Sequence, residues 1–97
     1  MDNKFLSNYF SDLRSLLDSS KNDFNKLIQI KKIFQLCSKK NKKIIFCGNG
    51  GSAATASHAS VDFSKNAKIR SINFNESDLI TCLSNDYGYE NWLSAAI

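Results

Sequence analysis

The residues best suited to chemistry are concentrated in one stretch, CGNGGSAATASHASVDFSK, at positions 47–65. It holds three of the chain's four glycines and its only histidine. A glycine-rich turn after a strand exposes backbone N–H groups that can bind an anion such as phosphate. His58 and Asp62 are four residues apart, so on a helix they share one face and can share a proton or a cation. The stretch therefore combines an anion-binding turn with two chemically active side chains.

The glycine turn, residues 48–52, is predicted to connect a strand to a helix, with Ser52 as the helix N-cap. Ligands of open α/β sheets bind at such turns. A Walker P-loop is excluded because it needs a lysine before its Ser or Thr, and Gly51 precedes Ser52. A dinucleotide fingerprint would need a carboxylate where the second strand ends, and the sequence there is Ile72-Asn73-Phe74, so NAD or NADP is a minor alternative. The turn is thus predicted to bind a phosphate group rather than only to reverse the chain.

The pair His58 and Asp62 is predicted to point toward the same region as the turn. The spacing alone is typical of a structural hydrogen-bonded pair as well as of a functional one. Two ligands never complete a metal site, although an imidazole and a carboxylate can form half of one. A structural pair, a catalytic base and a metal half-site all remain open at this point.

These residues need elements that position them. Apolar spacing predicts an amphipathic helix over 4–18, a break at SSKND, and a second helix capped by Asn22 or Asp23 that runs to about 39. The apolar run at 44–47 predicts a buried strand. A crossover helix of small residues, a strand at 69–73 and helical pieces at 77–84 and 88–97 follow. The predicted fold class is α/β: an N-terminal helical hairpin, residues 1–40, then the first β-loop-α-β part of an incomplete parallel-sheet domain, residues 41–97.

Composition narrows the class of protein. The chain has 97 residues, no apolar run near the ~20 needed to span a bilayer, and no signal-peptide pattern, so we expect a cytoplasmic protein without a membrane partner. The net charge is +4, and the lysines at 39–43 are predicted to complement a helix dipole, so no nucleic-acid partner is expected. Cys37, Cys47 and Cys82 are expected to be reduced, mostly buried thiols.

Two segments carry a resemblance to a known family. GNGGSAATASHASVDFSK, followed by LITCLSNDYGYENW, resembles the sugar isomerase (SIS) domain, most closely its phosphoheptose isomerase branch, over essentially the whole chain. The resemblance implies a five-stranded parallel α/β sandwich with N-terminal helices that mediate a homotetramer. It also implies the conversion of sedoheptulose 7-phosphate to D-glycero-D-manno-heptose 7-phosphate for surface-polysaccharide heptose.

The resemblance further implies roles for individual residues. The residues expected to contact the sugar phosphate substrate are Asn49, Gly50, Gly51, Ser52, Asp62, Asn85 and Asp86. His58 matches a histidine that binds zinc in metal-bound members. Asp62 matches a glutamate that is both catalytic base and metal ligand, so the chain departs from the family by one methylene here. One zinc ion per site is the implied cofactor, with its remaining ligands outside this chain.

The resemblance covers only part of the family's fold. Its second half carries a Ser/Thr-rich phosphate loop and a late helix with a glutamine and a histidine, which are not in these 97 residues. We therefore expect the N-terminal part of a longer protein, or a shortened product, that is inactive alone. The alternative is a non-catalytic SIS module: a regulator that senses sugar phosphates, or a scaffold resembling the replication initiator-associating proteins.

Overall fold

The computed structural model describes residues 2–97 and confirms the α/β class. The helices are α1 (Asp2–Ser19), α2 (Phe24–Lys39), α3 (Gly51–Lys65), α4 (Ser77–Tyr87) and α5 (Trp92–Ala96), and the strands are β1 (Ile44–Phe46) and β2 (Ser71–Asn73). Short 3-10 helices span Ser20–Asp23 and Tyr89–Asn91. The chain divides into two compact units between Ile33 and Phe34. The domain boundary between 40 and 41 stays a prediction, and residue 1 of the predicted hairpin lies outside the described residues.

The first unit consists of helix, as predicted, with its break at the expected place. The break is a 3-10 turn whose flanking residues, Ser19 and Phe24, keep right-handed helical dihedral angles. Asp23 does not cap α2; its carboxylate instead pairs with Lys26 at 2.8 Å. The large apolar side chains of residues 2–33 stay exposed, for example Phe10 at 62%. Within the described residues, this part of the helical region therefore does not close into a hairpin with a buried interface.

The second unit contains the predicted β-loop-α-β arrangement. β1 and β2 are parallel, with Ile44 opposite Ser71 and Phe46 opposite Asn73. Both strands are shorter than predicted. The buried apolar residues are Ile44, Ala56 and Trp92.

Three phenylalanines join the end of α2 to the β-α-β region. The ring centroid of Phe63 on α3 lies 5.2 Å from that of Phe34 on α2 and 5.0 Å from that of Phe46 on β1. Such edge-to-face and tilted contacts add to the hydrophobic gain from burial. This aromatic cluster explains why the last turns of α2 belong to the second unit.

Polar side chains, including the small Ser60 of the predicted crossover helix, join β2 to α3. The Asn73 amide Nδ2 donates to Ser60 Oγ at 2.9 Å, and Ser71 Oγ donates to the Ser60 carbonyl oxygen at 2.6 Å. The hydroxyls of Ser64 and Ser71 lie 2.9 Å apart. Because Ser60 is only 6% exposed, these bonds lie partly in the protein interior.

The cysteines correct one expectation. Cys47 and Cys82 are exposed and Cys37 is half-buried, so the prediction of mostly buried thiols is wrong. All three are free. Among residues 2–97, every helix is too short or too polar to span a bilayer.

Candidate functional site

The glycine turn leads from β1 into α3, as predicted, but the helix begins earlier than expected. α3 starts at Gly51, and Gly50 occupies the N-cap position with φ +57° and ψ −127°. The Ser52 N–H donates to the Asn49 carbonyl oxygen at 3.0 Å. Ser52 is therefore in the first turn of the helix rather than at its cap, because a glycine in an unusual backbone conformation makes the reversal.

The glycines of the turn have different structural needs. A Cβ atom at Gly48 would fall against the carbonyl group of Ser52, and Gly50 has a positive φ. A Cβ atom at Gly51 would meet nothing within 4 Å, and its φ is ordinary. The fold therefore requires glycine at 48 and 50 but not at 51. Glycine at 51 leaves the backbone of the first helical turn uncovered, so a ligand can approach it closely.

The turn also presents free hydrogen-bond donors. Within residues 2–97, the N–H groups of Asn49, Gly50 and Gly51 donate to no backbone acceptor. They lie at the amino end of a helix of 15 residues, where the helix dipole favours negative charge. All three residues are exposed. The arrangement is suited to binding a phosphate group.

A residue that the sequence reading missed ties this turn to the sheet. The Asn75 amide Nδ2 donates to the Gly48 carbonyl oxygen at 2.7 Å, and the Asn75 N–H donates to Asn73 Oδ1 at 3.0 Å. The available signal was the alternation of Ser71, Asn73 and Asn75, which puts three polar side chains on one face of β2 and its extension.

A groove lies beside the turn at the carboxyl end of β1. It is lined by Cys47, Gly48, Asn49, Tyr89, Glu90, Trp92 and Leu93. The turn is thus one wall of a concave surface whose other wall is the segment after α4.

His58 and Asp62 come together on one face of α3, as their spacing predicted. His58 Nε2 lies 3.4 Å from Asp62 Oδ2, and the side chains are 79% and 50% exposed. Asp62 Oδ1 accepts a bond of 3.3 Å from Asn66 Nδ2. The shallow depression around the pair is lined by Ala54, Thr55, His58, Ala59 and Asp62, and it includes no residue of the turn. The structure therefore does not place the pair and the turn in one cavity.

The donor atoms of this pair fit half of a zinc site. Two ligands bonded to a tetrahedral zinc ion at about 2.0 to 2.2 Å are separated by roughly 3.3 to 3.6 Å. The His58 to Asp62 separation of 3.4 Å lies in that range. No cluster of three His, Cys, Asp or Glu residues suited to a metal occurs among residues 2–97. These two residues can thus supply two ligands, and a complete site needs others.

Asn85 and Asp86 lie in the last turns of α4 and are exposed. Asn85 Nδ2 donates to Asp86 Oδ1 at 3.1 Å, and Cys82 Sγ lies 3.8 Å from Asp86 Oδ2. No hydrogen bond among the described residues links them to the turn or to His58 and Asp62. The predicted site residues therefore form three groups: the turn, the pair on α3 and the pair on α4.

Comparisons with known proteins show that the chain is similar to several phosphoheptose isomerases. No protein-family model matches the chain. It is 30% identical to the phosphoheptose isomerase of Buchnera aphidicola, across all of this chain and 54% of that protein. It is 34% identical to that of Akkermansia muciniphila, across 67% of this chain and 39% of that protein. The solved phosphoheptose isomerase of Neisseria gonorrhoeae shares the fold, with a TM-score of 0.86 at 23% identity, over 99% of this chain and 53% of that one. The chain thus spans about half the length, or less, of these proteins.

Proposed function

This chain is similar in sequence to the phosphoheptose isomerases and shares the fold of one of them, and from this we propose that it is part of a sugar-phosphate isomerase. The proposed reaction converts sedoheptulose 7-phosphate to D-glycero-D-manno-heptose 7-phosphate. The observation that carries the proposal is the turn at the carboxyl end of β1, where three adjacent N–H groups lack backbone acceptors within the described residues. A sugar phosphate has the anion that such a turn binds.

A ketose-aldose conversion sets three chemical requirements. A base removes a proton from the carbon next to the carbonyl, and the enediol that forms takes a proton back one carbon away. The carbonyl oxygen must be polarised, and the distant phosphate must be anchored. We assign Asp62 as the base, because its carboxylate is half exposed and is oriented by Asn66 and His58.

The turn and α4 are assigned to binding. The backbone of Asn49, Gly50 and Gly51, with the Ser52 hydroxyl, contacts the substrate in this proposal. In this proposal the Asn85 amide both donates hydrogen bonds to sugar hydroxyls and accepts them, whereas the Asp86 carboxylate accepts them. Bringing these groups to one substrate requires structure beyond the three separate groups that residues 2–97 form.

We also propose one zinc ion per site, with His58 and Asp62 as two of its ligands. The bound ion would supply polarisation of the substrate carbonyl. The 3.4 Å separation of the two donor atoms supports this assignment. Metal analysis of the full-length protein tests it: His58→Ala should lower the zinc content well below one per site, whereas a control substitution of the exposed Thr55 on the same face should not. Full zinc content in His58→Ala would contradict the assignment.

The proposal also covers the oligomeric state, the cellular compartment and the biosynthetic role of the enzyme. We propose a homo-oligomer, a tetramer as the family resemblance implies, in which the exposed apolar side chains of residues 2–33 are covered by other copies. We further propose a cytoplasmic enzyme that supplies heptose for surface polysaccharide.

The direct test is an assay of the full-length protein with sedoheptulose 7-phosphate. The variant Asp62→Ala should lose about 10²-fold to 10⁴-fold in kcat, the range for removal of a general base. Asp62→Glu, which restores the family's residue, should keep substantial activity, and Asp12→Ala, an exposed carboxylate on α1, is the matched control. Full activity in Asp62→Ala would exclude the role given to Asp62, and no activity in the unaltered protein would exclude the reaction.

A further inference from the structure

We propose that Asn75 is a positioning residue that holds the glycine turn in the conformation that binds an anion; this inference rests on the proposed function. Neither the sequence motifs nor the family resemblance pointed to Asn75. It follows β2, and in the chain it is 27 residues from Gly48, whose carbonyl oxygen it contacts. The contact therefore exists only through the tertiary structure.

The geometry defines which part of Asn75 acts on the turn. Its side chain meets the Gly48 carbonyl oxygen at 2.7 Å, and because a carbonyl oxygen only accepts, the atom facing it is the amide nitrogen. The Asn75 backbone is itself held, since its N–H donates to Asn73 Oδ1 at 3.0 Å. Asn73 in turn donates from Nδ2 to Ser60 Oγ at 2.9 Å. A continuous series of hydrogen bonds thus connects α3, β2 and the turn.

The bond to Gly48 sets the direction of an N–H group that the turn presents. The carbonyl of Gly48 and the N–H of Asn49 belong to one peptide unit, which is planar and trans, so the two groups point in opposite directions. Holding the carbonyl toward Asn75 therefore directs the Asn49 N–H away from it. Rotation of this peptide unit changes ψ of Gly48 and φ of Asn49, and the glycine at 48 leaves the first of these angles permissive, so without this restraint the unit can rotate. A rotated peptide would present a carbonyl oxygen to an incoming anion.

The oxygen of the Asn75 side-chain amide indicates that this residue does more than stabilise the fold. Asn75 Oδ1 is buried and has no hydrogen-bond partner among residues 2–97. A buried acceptor without a partner is unfavourable, so part of the stabilisation from the Gly48 bond is offset. Asn75→Ala removes the unpaired acceptor together with the bond to Gly48. We therefore expect this variant to lose phosphate affinity while its free energy of unfolding changes little.

The test compares two alanine variants of the full-length protein. Asn75→Ala removes the bond to the turn, and Asn91→Ala removes a matched bond of 2.9 Å from an asparagine Nδ2 to the Tyr87 carbonyl oxygen, elsewhere in the same unit. Inorganic phosphate is titrated while the amide resonances of residues 49–52 are followed by NMR. We expect Asn75→Ala to raise the Kd for phosphate at least about five-fold and Asn91→Ala to change it less than two-fold. Equal changes in the two variants, or none in Asn75→Ala, would overturn the proposal.

A second measurement separates this inference from the proposed function. Amide hydrogen exchange and chemical shifts of residues 48–52 are recorded without phosphate, and only Asn75→Ala should alter them strongly. If the unaltered chain binds no phosphate, the anion site is wrong, yet an altered turn in Asn75→Ala would still support the positioning role. An unaltered turn would reject it. Should Asn75→Ala not fold, Asn75→Asp keeps the side-chain shape without the donor and is compared with Asn91→Asp by the same exchange measurement.

Discussion

The two compact units of this chain are both rich in helix, but they differ in what their helices bury. In residues 2–33, every large apolar side chain is at least 41% exposed. In the unit from Phe34 onward, Trp92 is 3% exposed and three phenylalanine rings meet at centroid distances of 5.0 to 6.4 Å. Apolar periodicity thus specifies a helix in both units, whereas only the second unit contains the partners that cover the apolar face.

The polar contacts show the same difference. The described ion pairs of the first unit join residues three apart, at 2.8 Å between exposed side chains. The second unit has side-chain hydrogen bonds across 11, 13 and 27 residues. Local contacts stabilise a helix only slightly, whereas contacts between distant residues define a tertiary fold. We therefore expect the stability of the chain to depend on the second unit, and four substitutions test this.

The largest effect is expected at the aromatic cluster. Phe63→Ala should lower the free energy of unfolding by about 2 to 3 kcal/mol, somewhat less than for a fully buried phenylalanine. In the monomeric chain, Phe10→Ala, which truncates a ring that is 62% exposed in the first unit, should change it by less than about 0.5 kcal/mol. Urea unfolding followed by the fluorescence of Trp92, the only tryptophan, measures both. Equal losses would contradict the contrast between the units.

The next effect is expected at the glycine turn. Gly50→Ala should cost about 1 to 2 kcal/mol, because its φ of +57° is unfavourable for a residue with a Cβ atom. Gly51→Ala, at the adjacent position with open space and ordinary φ, should leave the stability within about 0.5 kcal/mol and weaken phosphate binding instead. The same unfolding curves and a phosphate titration separate the two. A large loss of stability in Gly51→Ala would show that position 51 has a structural role.

A smaller effect is expected from the polar contact between β2 and α3. Asn73→Ala removes the bond to Ser60 and the bond from the Asn75 N–H, and should cost about 1 to 1.5 kcal/mol in total, as for partly buried hydrogen bonds. Asn8→Ala on the exposed surface of α1 is the matched control and should have almost no effect. If thermal unfolding shows the same midpoint for both variants, this polar contact does not stabilise the second unit.

The smallest effect is expected at the ion pairs of the first unit. Asp23→Ala removes the exposed ion pair with Lys26. The helical region should lose less than about 0.5 kcal/mol of stability, so the helix content of the chain should change only slightly. The difference should shrink further in 0.5 M salt, because exposed charges are screened. Circular dichroism at two salt concentrations measures it. A salt-independent loss above 1 kcal/mol would mean that Asp23 does more than the structure shows.

The candidate site was predictable only in part. The glycine turn and the His58 to Asp62 pair follow from residue type and spacing, and the structure shows both. The position of Ser52 was wrong, because sequence reading assigned the cap to a good capping residue, whereas Gly50 makes the reversal with a positive φ. Asn75 was missed because its partner, Gly48, is distant in the chain. The roles given to Asn85 and Asp86 stay predictions, since these residues contact neither the turn nor the α3 pair.

The sequence by itself determined the features that depend on near neighbours. The helical region, its break at 20–23, the strand after the lysines and the glycine turn all follow from apolar period and backbone freedom over a few residues. The tertiary structure alone decided which side chains of α3 face β2, which face the His58 depression, and that Asn75 meets Gly48. Those outcomes depend on strand register and helix rotation, which contacts between distant residues set.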